Sequence, residues 1–379
     1  MRFLTDLCAH AAIPLSCVMV MSGLARPASG QCDPTIIGSV DTPDWSLDIA
    51  ISGTIAYVIE RNSGLQVIDV SNPQSPVIIG SVDMQDLTYG VAISGTVVYV
   101  ATRSSGVQLI DVSNPETPFI LGSVDTPDLS AHVAISGTIA YVTNWESGLQ
   151  VIDVSNPAAP VIIGFVDTPG YAYDVAISGT VAYVTDFHEG LHIIDVSNPL
   201  APTIIGSVNT PGSAREVAIS GTVAYVADFF WGLQVIDVSN PVAPIILSRV
   251  DTPYRAQGVA ISGTVAYVAD WDSGLQVIDV SNTAAPFILG SVDTPGRAES
   301  VAISGTVIFV ADLESGLQVI DVSQCVVCPA DTDGSGTVDV VDLLFLLAAW
   351  GSPAADLDGN GTTDVTDLLA LLAEWGACP

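Results

Sequence analysis

This sequence contains no lysine and only 8 basic residues, all arginine, against 41 acidic ones, for a formal net charge of −33. So anionic a chain repels phosphate backbones and acidic lipid surfaces, which argues against nucleic acid and anionic membranes as partners and favours divalent cations. Long apolar runs are scarce too: beyond the first thirty residues none reaches the ~18 residues of a membrane span. There is no nucleophile elbow, no zinc spacing and no phosphate-binding glycine loop, so the common sequence signs of catalysis are missing. Cysteine is limited to 6 residues.

What the chain has is repetition. The tripeptide Ile-Asp-Val recurs with its acid at Asp69, Asp111, Asp153, Asp195, Asp237, Asp279 and Asp321, always 42 residues apart, and Ile-Ser-Gly-Thr keeps the same step from Ile51 to Ile303. A period of about 40–45 residues built from short strands is the signature of a β-propeller with one blade per repeat. Within Asp48–Val82 the pattern reads as four strands: Asp48–Ile51, a hairpin at Ser52-Gly53, Thr54–Ile59, Leu65–Val70, a proline-bearing turn, and Val77–Val82. Seven such units predict an all-β, seven-bladed propeller over residues 31–324. Seven identical carboxylates cannot form one active site, so the repeating Asp is expected to accept hydrogen bonds from nearby turn amides.

These units resemble the LVIVD-repeat family, on Val217–Asp228 and Gly232–Pro241 most closely. The resemblance implies a propeller-like fold and an extracellular or surface setting, and it brings no catalytic residues. The repeats are out of phase with the ends: Pro34–Val40 reads as a fourth strand without its first three, and the last unit stops after its third strand at Ser323. Pairing the two would close the ring and remove an open edge. One period places Cys32 at the position of Gln74, and six periods place Cys325 at that of Pro73, neighbours in an ordinary blade. A Cys32–Cys325 disulfide is therefore expected to replace the missing peptide link. Arg2, the mostly apolar Ala11–Ala25 and the small residues Ala28-Ser29-Gly30 predict an export signal over residues 1–30, hence a secreted or surface-bound bacterial protein.

Residues 325–379 differ in kind. Asp331, Asp333, Ser335, Thr337, Asp339 and Asp342 stand at positions 1, 3, 5, 7, 9 and 12 of a calcium loop, with Gly336 at its sharp turn. Asp356, Asp358, Asn360, Thr362, Asp364 and Asp367 repeat the pattern 25 residues later. Each loop runs into a short apolar helix, Leu343–Trp350 and Leu368–Trp375, and Asp356 follows Gly351 too closely for a full incoming helix. This duplicated loop-plus-helix unit resembles a type I dockerin domain. The resemblance implies two bound Ca²⁺ ions and a cohesin-like docking partner. Val340-Val341 and Val365-Thr366 stand where many dockerins carry Ser-Thr, a departure that puts an ordinary cohesin in question. Cys328 and Cys378 flank the unit and are expected to pair.

Compared repeat by repeat, the Ser-Gly and Ser-Asn-Pro turns hardly change, whereas the loops of the opposite face vary. They carry Trp45, Arg61, Arg103, Trp145, Tyr173, Phe187, His188, Phe230, Trp231, Arg255 and Trp271, a set suited to stacking on a glycan or a protein. Five of the ring's six arginines lie in these loops, with Arg249 outside them. The expectation is a non-catalytic recognition module. The alternative is a polysaccharide-acting enzyme drawing an acid pair from Asp186, His188, Glu189, Asp228, Asp270, Asp272 and Glu314, although an acid at the start of this loop recurs as a turn residue would.

Overall fold

The computed structural model describes residues 32–325, 337–338, 340–352, 355, 357, 362–373 and 376–377. One compact unit spans Cys32–Val327. It holds seven four-stranded antiparallel sheets. In blade one the strands run Ser46–Ser52, Ile55–Glu60, Gly64–Asp69 and Val77–Val82, and blades two to six repeat this order. The second and third strands are almost wholly buried, as expected of apolar strands covered on both faces. The fourth strand alternates and forms the outer edge. First strands of successive blades pack together around a closed inner ring, including the first strands of blades one and seven.

The hairpin between the first two strands is one residue later than expected. Ser52 pairs with Ile55, so the turn is Gly53-Thr54, with positive φ at the glycine as a type II′ turn requires. All seven repeating acids perform the expected turn role. Asp69 Oδ1 accepts the Ser71 N–H at 2.8 Å, and Asp111, Asp153, Asp195, Asp237, Asp279 and Asp321 repeat the bond with the serine two residues on.

Blade seven is closed by both chain ends. Its sheet consists of Ser300–Ser304, Val307–Ala311, Leu317–Asp321 and the N-terminal strand Thr35–Val40, which pairs antiparallel with the third. Cys32 and Cys325 form a disulfide with their Cα atoms 4.7 Å apart. Blade contacts are tight because glycine recurs in the fourth strand. A side chain at Gly80, Gly122 or Gly164 would collide with the proline carbonyl of the next blade's turn.

In the C-terminal unit, helices α1 (Val340–Ala348) and α2 (Val365–Ala373) each begin three residues earlier than expected. A capping box starts α2: Asp364 Oδ1 accepts the Thr366 N–H at 2.8 Å, while Asp367 Oδ2 accepts the Asp364 N–H at 2.6 Å. The helices bury Leu346, Ala349, Ala355 and Leu371 between them. A two-residue ladder joins Thr337–Val338 to Gly376–Ala377. Asp331, Asp333, Ser335, Asp339, Asp356, Asp358 and Asn360 lie outside the described residues, as do Cys328, Cys378 and the expected export signal. No helix among the described residues is long and apolar enough to cross a membrane.

Candidate functional site

The strands of each blade run so that the variable loops crown one mouth of the inner ring. On blades three, five, six and seven the second residue after the second strand bridges to the next blade. Phe229 and Ala256 exchange both backbone hydrogen bonds at 3.1 and 3.0 Å, and Trp271 and Ala298 do the same at 3.1 Å. This bridge holds Trp145, Phe229, Trp271 and Leu313 at φ between 35° and 51°, a left-handed conformation that bulky residues adopt only when clamped.

On blades three to six the loop aromatics and arginines form one contact network. Ring centroids of His132 and Tyr173 lie 5.2 Å apart, Tyr173 and Phe187 6.3 Å, Phe187 and His188 5.0 Å, Tyr171 and His188 5.7 Å, and Trp145 and Tyr171 5.3 Å. The Arg215 guanidinium sits 4.7–4.9 Å from the rings of Tyr173, Phe187 and Phe229. That of Arg255 lies 5.0–5.2 Å from Phe229, Phe230 and Tyr254. Six of the expected face residues thus meet: Trp145, Tyr173, Phe187, His188, Phe230 and Arg255. Others form separate pairs, Arg61 over Trp45 at 5.4 Å and Arg297 over Trp271 at 5.6 Å. Trp231 pairs with Arg249 at 4.6 Å, so the arginine outside the variable loops still reaches a loop aromatic. Arg103 is exposed on blade two and makes none of these ring contacts.

Beneath the loops the inner strands carry two polar tiers, each a column of residues 42 apart. The deeper reads Asp48, Gly90, His132, Asp174, Glu216, Gly258 and Ser300. His132 Nδ1 lies 3.8 Å from Asp48 Oδ2 and 3.6 Å from Asp174 Oδ1. Blades one and three are not neighbours, so this contact can form only inside the ring. Ser300 Oγ donates to Asp48 Oδ1 at 2.6 Å. Each acid also accepts an N–H from the following blade: Asp48 from Val91, Asp174 from Val217, Glu216 from Val259, at 2.8–3.0 Å. Burial pushes the Asp48 carboxyl up against the pull of His132, and pushes Glu216 well up, with the charges of Asp48 and Asp174 adding to the rise. The two glycines make room: a Cβ on Gly90 would lie 2.6 Å from His132 Cα, and one on Gly258 3.0 Å from Glu216 Oε2.

The upper tier, one residue nearer the mouth, reads Leu47, Tyr89, Ala131, Tyr173, Arg215, Gln257 and Glu299. The hydroxyl of Thr143 donates to the Tyr173 carbonyl at 2.7 Å, and that of Thr185 to the Arg215 carbonyl, which fixes both inner strands. Burial raises Glu299 to about 7, although the nearby Arg215 charge pulls it down.

The acids first considered for catalysis have structural work or lie apart. Asp186, Asp228 and Asp270 accept the N–H of Gly170, Gly212 and Tyr254 at 2.8–2.9 Å, latching the loop to the blade entry. Burial raises Asp228 and Asp270 to about 6. Asp272 and Glu314 pair with Arg297 at the surface, and His188 and Glu189 are exposed. The string His188-Glu189-Gly190-Leu191-His192 does carry the spacing of a helical zinc motif, which the sequence reading passed over. His188 lies in the turn before the strand Gly190–Asp195 and is exposed, whereas His192 is on that strand and buried, so the two imidazoles do not share a helical face. Among the described residues no group of three or more His, Cys, Asp or Glu is arranged to hold a metal ion. A cleft bordered by Asp83, Asp86 and Gln108 lies among the loops where blade one leads into blade two, and Asp86 there is bound by the Ser104 and Ser105 amides.

Neither inner tier was legible as a ring in the sequence, although Tyr89, His132, Tyr173 and Arg215 lie in the variable loop segments. The available signal was polar residues at a fixed column of an otherwise apolar strand.

Among solved structures, the chain is similar to a computationally designed protein, Ika8 (TM-score 0.58, 8% identity, covering 76% of this chain and 100% of that one). It is similar also to the WD40 β-propeller domain of Doa1 (0.63, 8%, 76% and 97%) and to the β-propeller domain of Cps50 (Swd1) from Myceliophteria thermophila (0.64, 12%, 77% and 100%). At such identities the likeness shows the fold alone. A comparison with curated proteins gives no match. The LVIVD-repeat model matches seven stretches, residues 46–84, 88–126, 130–168, 169–210, 211–252, 255–294 and 295–325, and the chain therefore belongs to the LVIVD-repeat family.

Proposed function

We propose that this is an exported, non-catalytic recognition propeller that binds a glycan or protein through the loop mouth of its ring. The observation that carries the reading is the continuous aromatic–arginine network over blades three to six. Rings and guanidinium planes preset in this way present large contact area at little entropic cost. The C-terminal unit would attach the propeller to a surface or extracellular assembly. Its loops fit Ca²⁺ by donor chemistry: Asp342 and Asp367, at position 12 of each loop, are wholly buried carboxylates. Asp367 gathers the Leu357 and Asp364 amides at 2.6 Å, which holds its carboxylate toward the loop. Exposed Val340, Leu344 and Phe345 on α1, with Val365, Leu369 and Leu372 on α2, offer an apolar face to a cohesin-like or other docking protein.

A second reading, a glycoside hydrolase or lyase, draws on the deeper tier, where Asp48, Asp174 and Glu216 converge with His132 and two of the acids are raised. One experiment separates the two. The calcium-loaded full chain is passed over insoluble cell-wall, plant and algal polysaccharides, and both retention and released sugars are measured. Retention without products, weakened at least tenfold by Phe230→Ala with Arg255→Ala, is the expected result. Released products that vanish in Glu216→Gln would replace binding with catalysis. Chelator should abolish the helical signal of the C-terminal unit and leave retention unchanged.

A further inference from the structure

Eight buried side-chain atoms in the described structure have no hydrogen-bond partner, and four of them belong to blades five to seven at the loop mouth: Arg215 Nε, Arg255 Nε, Gln257 Oε1 and Glu299 Oε2. Native chains rarely leave such atoms unpaired, since each one costs its lost hydration. Their placement is systematic. Arg215, Gln257 and Glu299 hold the same column in consecutive blades, so their side chains leave the inner strand in the same sense. Arg255 lies two residues before Gln257. Arg215 and Arg255 meet at the Phe229 ring, their guanidinium groups 4.9 and 5.2 Å from its centre, and the Arg215 charge is near enough to Glu299, two blades away, to pull its carboxyl down. Gln257 is only 5% exposed and its column position directs it into this group.

The four orphans are two donors and two acceptors. A cation would satisfy only the acceptors, and an anion only the donors. A hydroxyl both gives and takes a hydrogen bond. All four groups, guanidinium, amide and carboxylate, are planar and able to engage two neighbouring hydroxyls at once. The rings of Tyr173, Phe187 and Phe229 stack with the Arg215 guanidinium and give the group an apolar wall.

We propose that Arg215, Arg255, Gln257 and Glu299 form a subsite for a neutral sugar, bound through vicinal hydroxyls at the axis of the ring. This rests on the recognition reading above and specifies its ligand. The orphan atoms are shut from solvent in the free chain, while Arg215, Arg255 and Glu299 remain partly exposed. Side-chain rotation as the sugar enters from the loop face brings them to its hydroxyls. The amide of Gln257 and the carboxylate of Glu299 accept from the sugar, and the two guanidinium groups donate to it.

The test uses the full chain in calcium, with calorimetry and saturation-transfer NMR against neutral hexoses and their short oligomers, glucosamine, glucuronate and added Ca²⁺. Gln257→Leu and Glu299→Gln are compared with Trp231→Ala, another aromatic of the loop face, and with Phe165→Ala, an exposed aromatic on the fourth strand of blade three, and melting curves check the fold. The expected result is binding of a neutral sugar that falls about tenfold or more in Gln257→Leu and in Glu299→Gln, less in Trp231→Ala, and not at all in Phe165→Ala. Gln257→Leu should keep or raise the melting temperature, because it removes an unsatisfied buried group. Sugar binding lost in Trp231→Ala but kept in the axial variants overturns the subsite and leaves the recognition reading standing. Tighter binding of glucosamine, glucuronate or Ca²⁺ than of any neutral sugar, lost in the axial variants, overturns the ligand class. Absence of binding to every probe overturns the subsite, and retention on polysaccharide or protein then decides the broader reading separately.

Discussion

Aspartate has three fates in this molecule, set by where the fold puts it. In the Ile-Asp-Val column the carboxylate gains a serine N–H, which holds Asp69, Asp111, Asp153, Asp195 and Asp237 below the usual carboxylate range. In the loop-latch column Asp228, Asp270 and Asp312 accept similar bonds but are buried, and burial wins, raising them to about 6. In the inner tier, acids face one another across the axis. The latch column makes a signed prediction. An acid raised in the folded state binds more protons there than when unfolded, so its contribution is largest below the unfolded value near 4 and is lost as pH rises to about 6. Replacing Asp228, Asp270 and Asp312 together by Asn should flatten the fall in melting temperature over that window. An unchanged slope would mean these groups titrate normally. The sequence showed that an acid recurs at this loop and that a turn role was its best reading. Whether the carboxylate is buried, and whether a partner offsets that burial as His192 does for Asp186, depends on neighbours the folded blade brings to it.

Strands and turns were the most legible elements, because period-two apolar runs and Gly, Asn and Pro punctuation act locally. The corrections are small and have local causes. Gly53 takes the first turn position rather than the second, and the helices start early because Asp364 and Asp367 cap the first turn of α2 from within the loop. Less legible was why glycine recurs inside strands. Gly164 faces the Pro199 carbonyl of the next blade, and Gly90 faces His132 and the Ala131 carbonyl, contacts that exist only between blades. Backbone atoms cannot step aside, so Gly90→Ala and Gly164→Ala should each cost about 1–3 kcal/mol, measured by denaturant unfolding. Ala at Gly351, whose Cβ would meet nothing, is a useful contrast that tests only its φ of 80°.

Ring closure is a property of the whole molecule. The strand Thr35–Val40 completes blade seven, and the Cys32–Cys325 bond joins residues 293 positions apart. In the chain-entropy model, a loop that long contributes on the order of 5 kcal/mol by restricting the unfolded chain. Cys32→Ser with Cys325→Ser should therefore melt much lower than the oxidised protein, and protease should cut first near the freed N-terminal strand. Equal melting temperatures with and without reductant would show that strand pairing alone holds the ring.

Repetition, out-of-phase ends and cysteine positions determined the propeller, its seven blades and its closing bond from the sequence alone, because each is a regularity along the chain. The axial tiers and the gathering of loop residues on blades three to six are different. The tiers join side chains that are multiples of 42 residues apart and the loop network joins neighbouring blades, and only the circular packing of seven first strands brings them together. Local chemistry sets what a repeat becomes, whereas the closed ring decides which unlike residues of those repeats meet at its axis.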